Sequence, residues 1–492
     1  MAKKKINLSE YLSLYVKSLS YWILISLATG IICGLVGALF YNGVVYATHL
    51  RNNMPLLMFL LPVAGLLIVY IYQTFDLKGV GTNTIIDTVR TGKKMRIRLI
   101  PAIFIGTILT HLCGGSAGRE GAALQIGADI GNHVGRLVHL KKEELRIETM
   151  MGMAGFFSAV FGTPLTATIF VVMFINVGHV MEMAVLPCFI SAWTAMQIAM
   201  QFGVKPFRMT IVEPSEDPLL MIRIMALAAL CGLGATLMIK VFHGTGKAYG
   251  HFFHNPYARI LAGSFLLLLL TRLVGNQDYN GIGEEVIIGA LQEGKTAPLA
   301  FLLKIVFTAV TLEAGFKGGE IVPTFFIGST LGATIGPLLG VDPRYAAAIG
   351  LVSVFGAATN TLIAPIFLAV EVFGTSNIAS FALAAVMAYI CSGYSGLYSS
   401  QIIMFSKVSA RPLGVSANSG ELVKQRNPRA VIRLFRTKTR KSLHSTKNAN
   451  RLMWLDDLKK KYDEVGVFPH PEDRYAPTET KEEQEKALDS DS

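Results

Sequence analysis

Two glutamates stand where a glycine-rich break gives way to an apolar segment: Glu120, in Gly114-Gly-Ser-Ala-Gly118-Arg119-Glu120-Gly121, and Glu320, in Gly315-Phe-Lys-Gly318-Gly319-Glu320. A third break, Gly79-Val80-Gly81, has the same form without the acid. A helix that starts after such a break leaves its first backbone N–H groups unpaired, and together with the helix dipole these make a site for an anion. Glycine offers no side chain to hold the anion away. If three such starts converge, an anion sheds its hydration shell without meeting a full positive charge, which would hold it too long for turnover. A carboxylate at one of these starts competes with a bound anion of the same sign, and burial favours its protonated form while the helix dipole favours the charged one.

The elements that must position these residues belong in a membrane. The 492-residue chain is 52% hydrophobic and only 16% charged, with a mean hydropathy of +0.48, outside the ordinary soluble range. Apolar runs spread over residues 20–406, including 22–46, 55–72, 97–112, 150–177, 183–200, 219–241, 260–270, 297–310, 346–373 and 378–390. Several are too short for a hydrocarbon core of roughly 30 Å, which needs about 20 helical residues, so tilted, partial and re-entrant helices are expected. Irregular backbone at that depth is tolerated only where it is buried in protein or lines a cavity.

The first run follows Lys3, Lys4 and Lys5 without a small-residue cleavage site after it and reads as a retained span. Much of the formal net charge of +12 lies before the first span and after the last, which predicts both termini cytoplasmic; the expected location is the plasma membrane. Beside a membrane span this charge meets anionic lipid rather than nucleic acid. The five cysteines lie in apolar segments without metal-ligand or disulfide spacing. Residues 408–492 are polar and end in a mainly acidic stretch, residues 482–492, and read as a largely disordered cytoplasmic tail. Within it, the basic residues 424–451 read as a solvated charge run, with a short amphipathic membrane-surface segment as the alternative.

An internal repeat organises the rest. Residues 79–93 align without gaps on residues 281–295, sharing both leading glycines, an Ile-Ile pair and a closing Gly-Lys. Cys33-Gly-Leu35 recurs as Cys231-Gly-Leu233, Gly118-Arg-Glu120 as Gly318-Gly-Glu320, and Ile169-Phe170 as Ile366-Phe367. Two related halves in one membrane chain are a signature of transporters and channels, whose sites form between the repeats. The expected architecture is an all-α integral membrane protein with two inversely oriented halves and broken helices. It divides into a cytoplasmic segment (1–20), a first repeat (21–215), a second repeat (216–407) and the tail (408–492).

Over residues 21–406 the chain resembles the CLC family of chloride channels and anion/proton antiporters. Gly118-Arg119-Glu120-Gly121 is similar to the family's Gly-(Lys/Arg)-Glu-Gly-Pro signature, with Ala122 in place of the proline. Gly79-Val80-Gly81-Thr-Asn83 occupies the place of Gly-Ser-Gly-Ile-Pro, and Gly318-Gly319-Glu320-Ile321-Val322-Pro323 that of Gly-x-Phe-x-Pro. Leu397-Tyr398-Ser399 matches the segment that brings a pore-lining tyrosine, here expected to open the last apolar helix. The resemblance implies a gating glutamate at Glu120 and anion-binding positions at Gly79, Val80, Gly81, Gly118, Arg119, Gly121, Gly319, Glu320, Ile321, Val322 and Tyr398. Arg119 is expected more as an ion-pair partner of Glu120 than as an ion ligand. The resemblance also implies a homodimer with one pathway per subunit in the lipid bilayer, carrying chloride or another halide and coupled to protons in the antiporters.

The departures from the pattern are informative. Val80 replaces the serine whose hydroxyl the family uses to hold the central anion, and Ile321 replaces a phenylalanine. Glu320 resembles the Gly-Gly-Glu pattern of the fluoride-exporting branch, and Val322 stands where that branch tends to carry threonine. The internal proton glutamate of the antiporters falls on Met173 or Phe174, so no acid is available there; Glu320 is the alternative proton relay, or else a helix cap or salt-bridge partner. Glu371 is expected to be structural, as are His111, Lys93 and Lys295. Transport of chloride or a broad range of halides is expected ahead of fluoride export by the same fold. No cofactor, nucleotide or metal is implied, and no cluster such as His-Glu-x-x-His suggests an enzyme.

Overall fold

The computed structural model describes residues 8–417 apart from residues 179, 212, 213, 215, 216, 410 and 411. The expectations for Lys3 to Lys5, for the repeat boundary at residues 215 and 216, and for the tail from residue 418 onward, including its basic and acidic parts, lie outside the described residues. The first eight helices are α1 (Leu8–Asn53), α2 (Leu61–Thr74), α3 (Thr82–Thr91), α4 (Leu99–Leu112), α5 (Glu120–Leu137), α6 (Lys142–Phe161), α7 (Pro164–Phe174) and α8 (Glu182–Gln201). Eight more follow: α9 (Pro218–Phe252), α10 (Pro256–Val274), α11 (Glu284–Ile288), α12 (Ala300–Ala314), α13 (Ile321–Ile335), α14 (Pro343–Thr359), α15 (Ala364–Phe373) and α16 (Ile378–Cys391).

The two sets pack alike. Helix α1 lies on α6 and α8, and α9 lies on α14 and α16 in the same way. Gly34, of the first Cys-Gly-Leu copy, lets α1 approach Ala195 and Ile198 of α8. Gly232, of the second copy, lets α9 approach Ala388 and Cys391 of α16. Gly92 and Gly294, which close the gap-free repeat, both take left-handed backbone at a helix end. The halves meet through equivalent elements, α2 against α10, α5 against α13 and α7 against α15. That pattern is the one a two-fold relation between repeats produces.

Two apolar runs of the sequence are each two helices. Gly162 in left-handed backbone ends α6 and Pro164 starts α7; Asn360 in left-handed backbone ends α14 and Pro365 stands in the first turn of α15. Among the described residues, six helical segments are long and apolar enough to cross a membrane, while α4, α7, α15 and α16 are apolar but only 10–14 residues long. Large apolar side chains cover the outer surface, among them Leu24, Leu39, Phe59, Phe265 and Leu338. Hydrocarbon, not water, suits such a surface.

Residues 397–401 correct one expectation. They open no helix but form an irregular turn into a small sheet of β1 (Asn176–Val177), β2 (Ile402–Phe405) and β3 (Pro412–Ser416). Strand β2 pairs parallel with β1 and antiparallel with β3. The Gln401 side-chain amide sets this turn by donating to the Phe174 and Thr359 carbonyls, each at 2.9 Å, at the ends of α7 and α14.

Candidate functional site

The starts of α5 and α13 face each other across the repeat interface. Gly118 N–H donates to the Gly319 carbonyl and Gly319 N–H donates to the Gly118 carbonyl, each at 2.8 Å. The flanking loops are tied crosswise too: Ser116 N–H donates to Thr311 Oγ1 of α12 at 3.0 Å, and Lys317 N–H to Thr110 Oγ1 of α4 at 3.2 Å. Neither helix start receives a side-chain hydrogen bond from its capping residue, Arg119 or Glu320. The amides are left for another acceptor.

Both glutamates reach across. Glu120 is fully buried; Arg119 N–H donates to its Oε2 at 3.0 Å, and its carboxylate lies against the amide of Val322, in the first turn of α13. Glu320 points the other way, its Oε2 lying where a side chain on Gly121 of α5 would come within 3.2 Å. Glu120 thus reaches the helix start of the other repeat, while Glu320 lies beside Gly121 of α5 and turns to its own amide and to the Tyr398 hydroxyl. Ile321 and Val322 are buried at the start of α13. Arg119 sits 3.7 Å from Glu120 Oε1 and stacks its guanidinium over Tyr41 at 4.3 Å.

Tyr398 is buried, with its ring edge-on to Phe174 at 4.8 Å. Its hydroxyl feels both Glu120 and Glu320. That hydroxyl lies against Glu320, yet neither it nor Glu320 Oε2 is closed into a good hydrogen bond; Glu120 Oε1 and Arg119 Nε, 3.7 Å apart, and His111 Nδ1 likewise have none. A knot of buried, unsatisfied polar atoms is costly unless water or a ligand completes it.

The first break joins this cluster at one remove. Thr82, the first residue of α3, accepts from Gln125 Nε2 of α5 at 3.4 Å, and Asn83 Oδ1 accepts from Ser400 N–H at 3.0 Å, beside Tyr398. Nothing lies within 4 Å of where a side chain on Gly79 or Gly81 would begin. Val80 lines a 290 Å³ cavity with Lys78, Thr84, Lys94 and Arg96. A 660 Å³ cavity is lined by Arg119, Arg51, Pro55 and Glu285. The 20 residues Pro55–Thr74, apolar enough to span a membrane, run between the two cavities, because Pro55 lines one and Asp76 and Leu77 line the other. The cavities therefore open at opposite ends of a span.

The remaining acids sort by geometry. Glu371 of α15 accepts from the Leu165 and Thr166 amides, each at 2.8 Å, and from Thr166 Oγ1 at 2.6 Å, so it caps α7 of the other repeat. Phe174 and the half-buried Met173 leave no acid at the end of α7. His111 is fully buried with Nε2 3.4 Å from the Gly118 carbonyl. Lys295 pairs with Glu293 at 3.2 Å on the surface, and the Lys93 carbonyl accepts from Asn132. Sequence reasoning missed Arg51, Lys304, Asp129 and Glu148, all buried. Charged residues inside apolar helices were the signal for Lys304 and Asp129; Arg51 lies beyond the run read over residues 22–46. Among the described residues, no three His, Cys, Asp or Glu side chains are grouped to hold a metal.

Broken helices meeting across an internal two-fold, with an acid at the junction and a cavity at each end of a span, define a membrane transport protein of the inverted-repeat class. The sequence matches the family described as voltage gated chloride channel over residues 64–393, and the chain belongs to that family. It is 34% identical over 403 residues to the chloride/fluoride channel protein of Pseudomonas syringae pv. tomato (strain ATCC BAA-871 / DC3000), covering 80% of this chain and 88% of that relative. The crystal structure of a CLC-type fluoride/proton antiporter superposes with a TM-score of 0.75 at 33% identity, over 78% of this chain and 98% of that one. A slow cyanobacterial Cl-/H+ antiporter shares the fold, with a TM-score of 0.65 at 18% identity over 75% of this chain and 94% of that one.

Proposed function

We propose that this chain is a proton-coupled halide antiporter with fluoride as its preferred ion. The observation that carries the reading is the reach of Glu120 from one repeat to the helix start of the other, with Glu320 beside Gly121 of α5 and against the Tyr398 hydroxyl. An anion entering this junction competes with a carboxylate for the same amides. A protonated carboxyl instead becomes a donor to the anion, so proton and anion occupancy are linked. Fluoride is small and strongly hydrated, and two carboxyls, the Tyr398 hydroxyl and the α13 amides form a donor set of the strength it needs. Similarity to the chloride/fluoride channel protein and the fluoride/proton antiporter supports moving fluoride ahead of chloride.

In this reading Glu120 is the gate and Glu320 the proton relay. Gly118, Gly121, Gly319, Ile321, Val322 and Tyr398 form the anion path, Gly79, Val80 and Gly81 its second mouth, and Arg119 holds Glu120. The repeats correspond to residues 21–215 and 216–407. The chain works as a transporter rather than an enzyme, as a homodimer in the plasma membrane with both termini cytoplasmic.

A second reading, a chloride pathway without proton coupling, is favoured by the lack of an acid at Met173 and Phe174, where the antiporters' inner acid would fall. Parallel efflux from liposomes loaded with fluoride or chloride, with external pH recorded, separates the two. Faster fluoride loss with proton movement supports the first reading. Equal or greater chloride loss at constant pH supports the second.

A further inference from the structure

The 660 Å³ cavity that borders Arg119 has a floor and a rim of opposite charge. On its floor lies Arg51, from the last turn of α1, only 5% exposed. Its NH1 donates to the His111 carbonyl at 3.4 Å and its NH2 to Asn52 Oδ1 at 3.0 Å, while its Nε has no partner. Gly281 has no side chain, and one there would collide with the guanidinium.

A second buried cation lies behind it. Lys304 of α12 is fully buried and donates to the carbonyls of Gly281 at 2.8 Å and Tyr279 at 3.2 Å. Arg51, Arg119 and Lys304 all act on the buried His111. Among the described residues neither Arg51 nor Lys304 forms an ion pair, and Arg119 has only the 3.7 Å contact with Glu120. The acids of this cavity, Asp278, Glu284 and Glu285, are exposed at its rim; Glu285 attracts Arg51 through space without touching it. Buried charge without a fixed partner is expensive. A mobile anion from the cavity is the compensation within reach.

We propose that Arg51, together with Arg119, forms an outer docking subsite for a small monovalent anion at the floor of this cavity, which the ion occupies before it meets Glu120. The inference rests on the reading of the chain as a halide transporter. Arg119 faces both the cavity and the gate, so an ion held between the two guanidiniums is handed on when Glu120 leaves the helix start. Exposed rim acids are screened by water and salt, whereas the buried guanidiniums are not.

The test uses the full-length protein in liposomes and in crystals. Arg51→Gln should raise the half-saturating fluoride and chloride concentrations about tenfold, the loss of one charge-assisted hydrogen bond. Maximal rate and proton-to-anion ratio should be unchanged, and Arg51→Lys should recover most of the affinity. Unchanged half-saturation in Arg51→Gln overturns the proposal, as does a fall in maximal rate and thermal stability without a shift in half-saturation. If Arg51→Gln does not fold, wild-type crystals soaked in bromide decide. An anomalous peak within hydrogen-bond reach of the Arg51 guanidinium supports the subsite, and its absence overturns it. Should wild-type vesicles pass neither chloride nor fluoride, the transport reading fails, and the bromide map still decides whether Arg51 binds an anion.

Discussion

Gly118 and Gly319 exchange two backbone hydrogen bonds of equal length, 2.8 Å, and so lock the starts of α5 and α13 into one antiparallel pair. The bonds use only main-chain atoms, so the pairing leaves side chains free to line whatever lies beside it. It also explains why Glu120 and Glu320, two residues and one residue further on, come to lie at the same junction.

The close approach makes a steric prediction. A methyl group on Gly319 would overlap Gly121 N and crowd Glu120 N. Gly319→Ala should cost at least about 3 kcal/mol and abolish transport. Gly81→Ala meets nothing within 4 Å and should remain folded, with a melting temperature in detergent close to wild type. Equal tolerance of both substitutions would show that the pair is not tightly held.

Removing the proposed gate, Glu120, should separate the two transported species. Glu120→Ala deletes the carboxylate that lies against the α13 start and that the proposed mechanism uses to carry the proton. Halide flux in liposomes should persist while proton movement falls to background. Unchanged flux together with unchanged proton movement would remove Glu120 from the mechanism.

Glu320 and Tyr398 make a paired prediction. Glu320→Gln should lose most proton coupling while the fold remains, because an amide holds no exchangeable acid proton. Tyr398→Phe removes the hydroxyl that lies against Glu320 and should raise the half-saturating halide concentration about fivefold, the weight of one hydrogen bond of about 1 kcal/mol, with coupling kept. Intact coupling in Glu320→Gln would end the relay role.

Glu371 is expected to act on stability alone. Its two oxygens hold two amides and a hydroxyl at the start of α7. Glu371→Ala should therefore destabilise the protein by about 2 kcal/mol, read as a lower unfolding midpoint, with the anion-to-proton ratio unchanged. A changed ratio would give Glu371 a place in the transport path.

Much of this arrangement was legible in sequence because glycine punctuation survives where apolar composition does not discriminate. Residues 79–93 and 281–295 revealed the repeat, and the breaks before Glu120 and before Ile321 became the two facing helix starts. The Gly79-Val80-Gly81 break was placed less well: it opens α3, as read, but reaches the cluster only through Thr82 and Asn83. Its distance depends on long-range packing that no local pattern records. Tyr398 was assigned by its motif to the start of a helix, because Ile402 to Phe405 are as apolar as a helix and only their pairing with β1 and β3 makes them a strand. Arg51 was passed over because α1 continues seven residues beyond the apolar run that ends at Tyr46.

The central claim is that proton and halide share the Glu120–Glu320 junction. Reversal potentials of the reconstituted protein, measured with a halide gradient and then with a pH gradient added, test it most directly. A potential that moves with the pH gradient, larger for fluoride than for chloride, is the predicted result; one set by the halide gradient alone, at any pH, contradicts it.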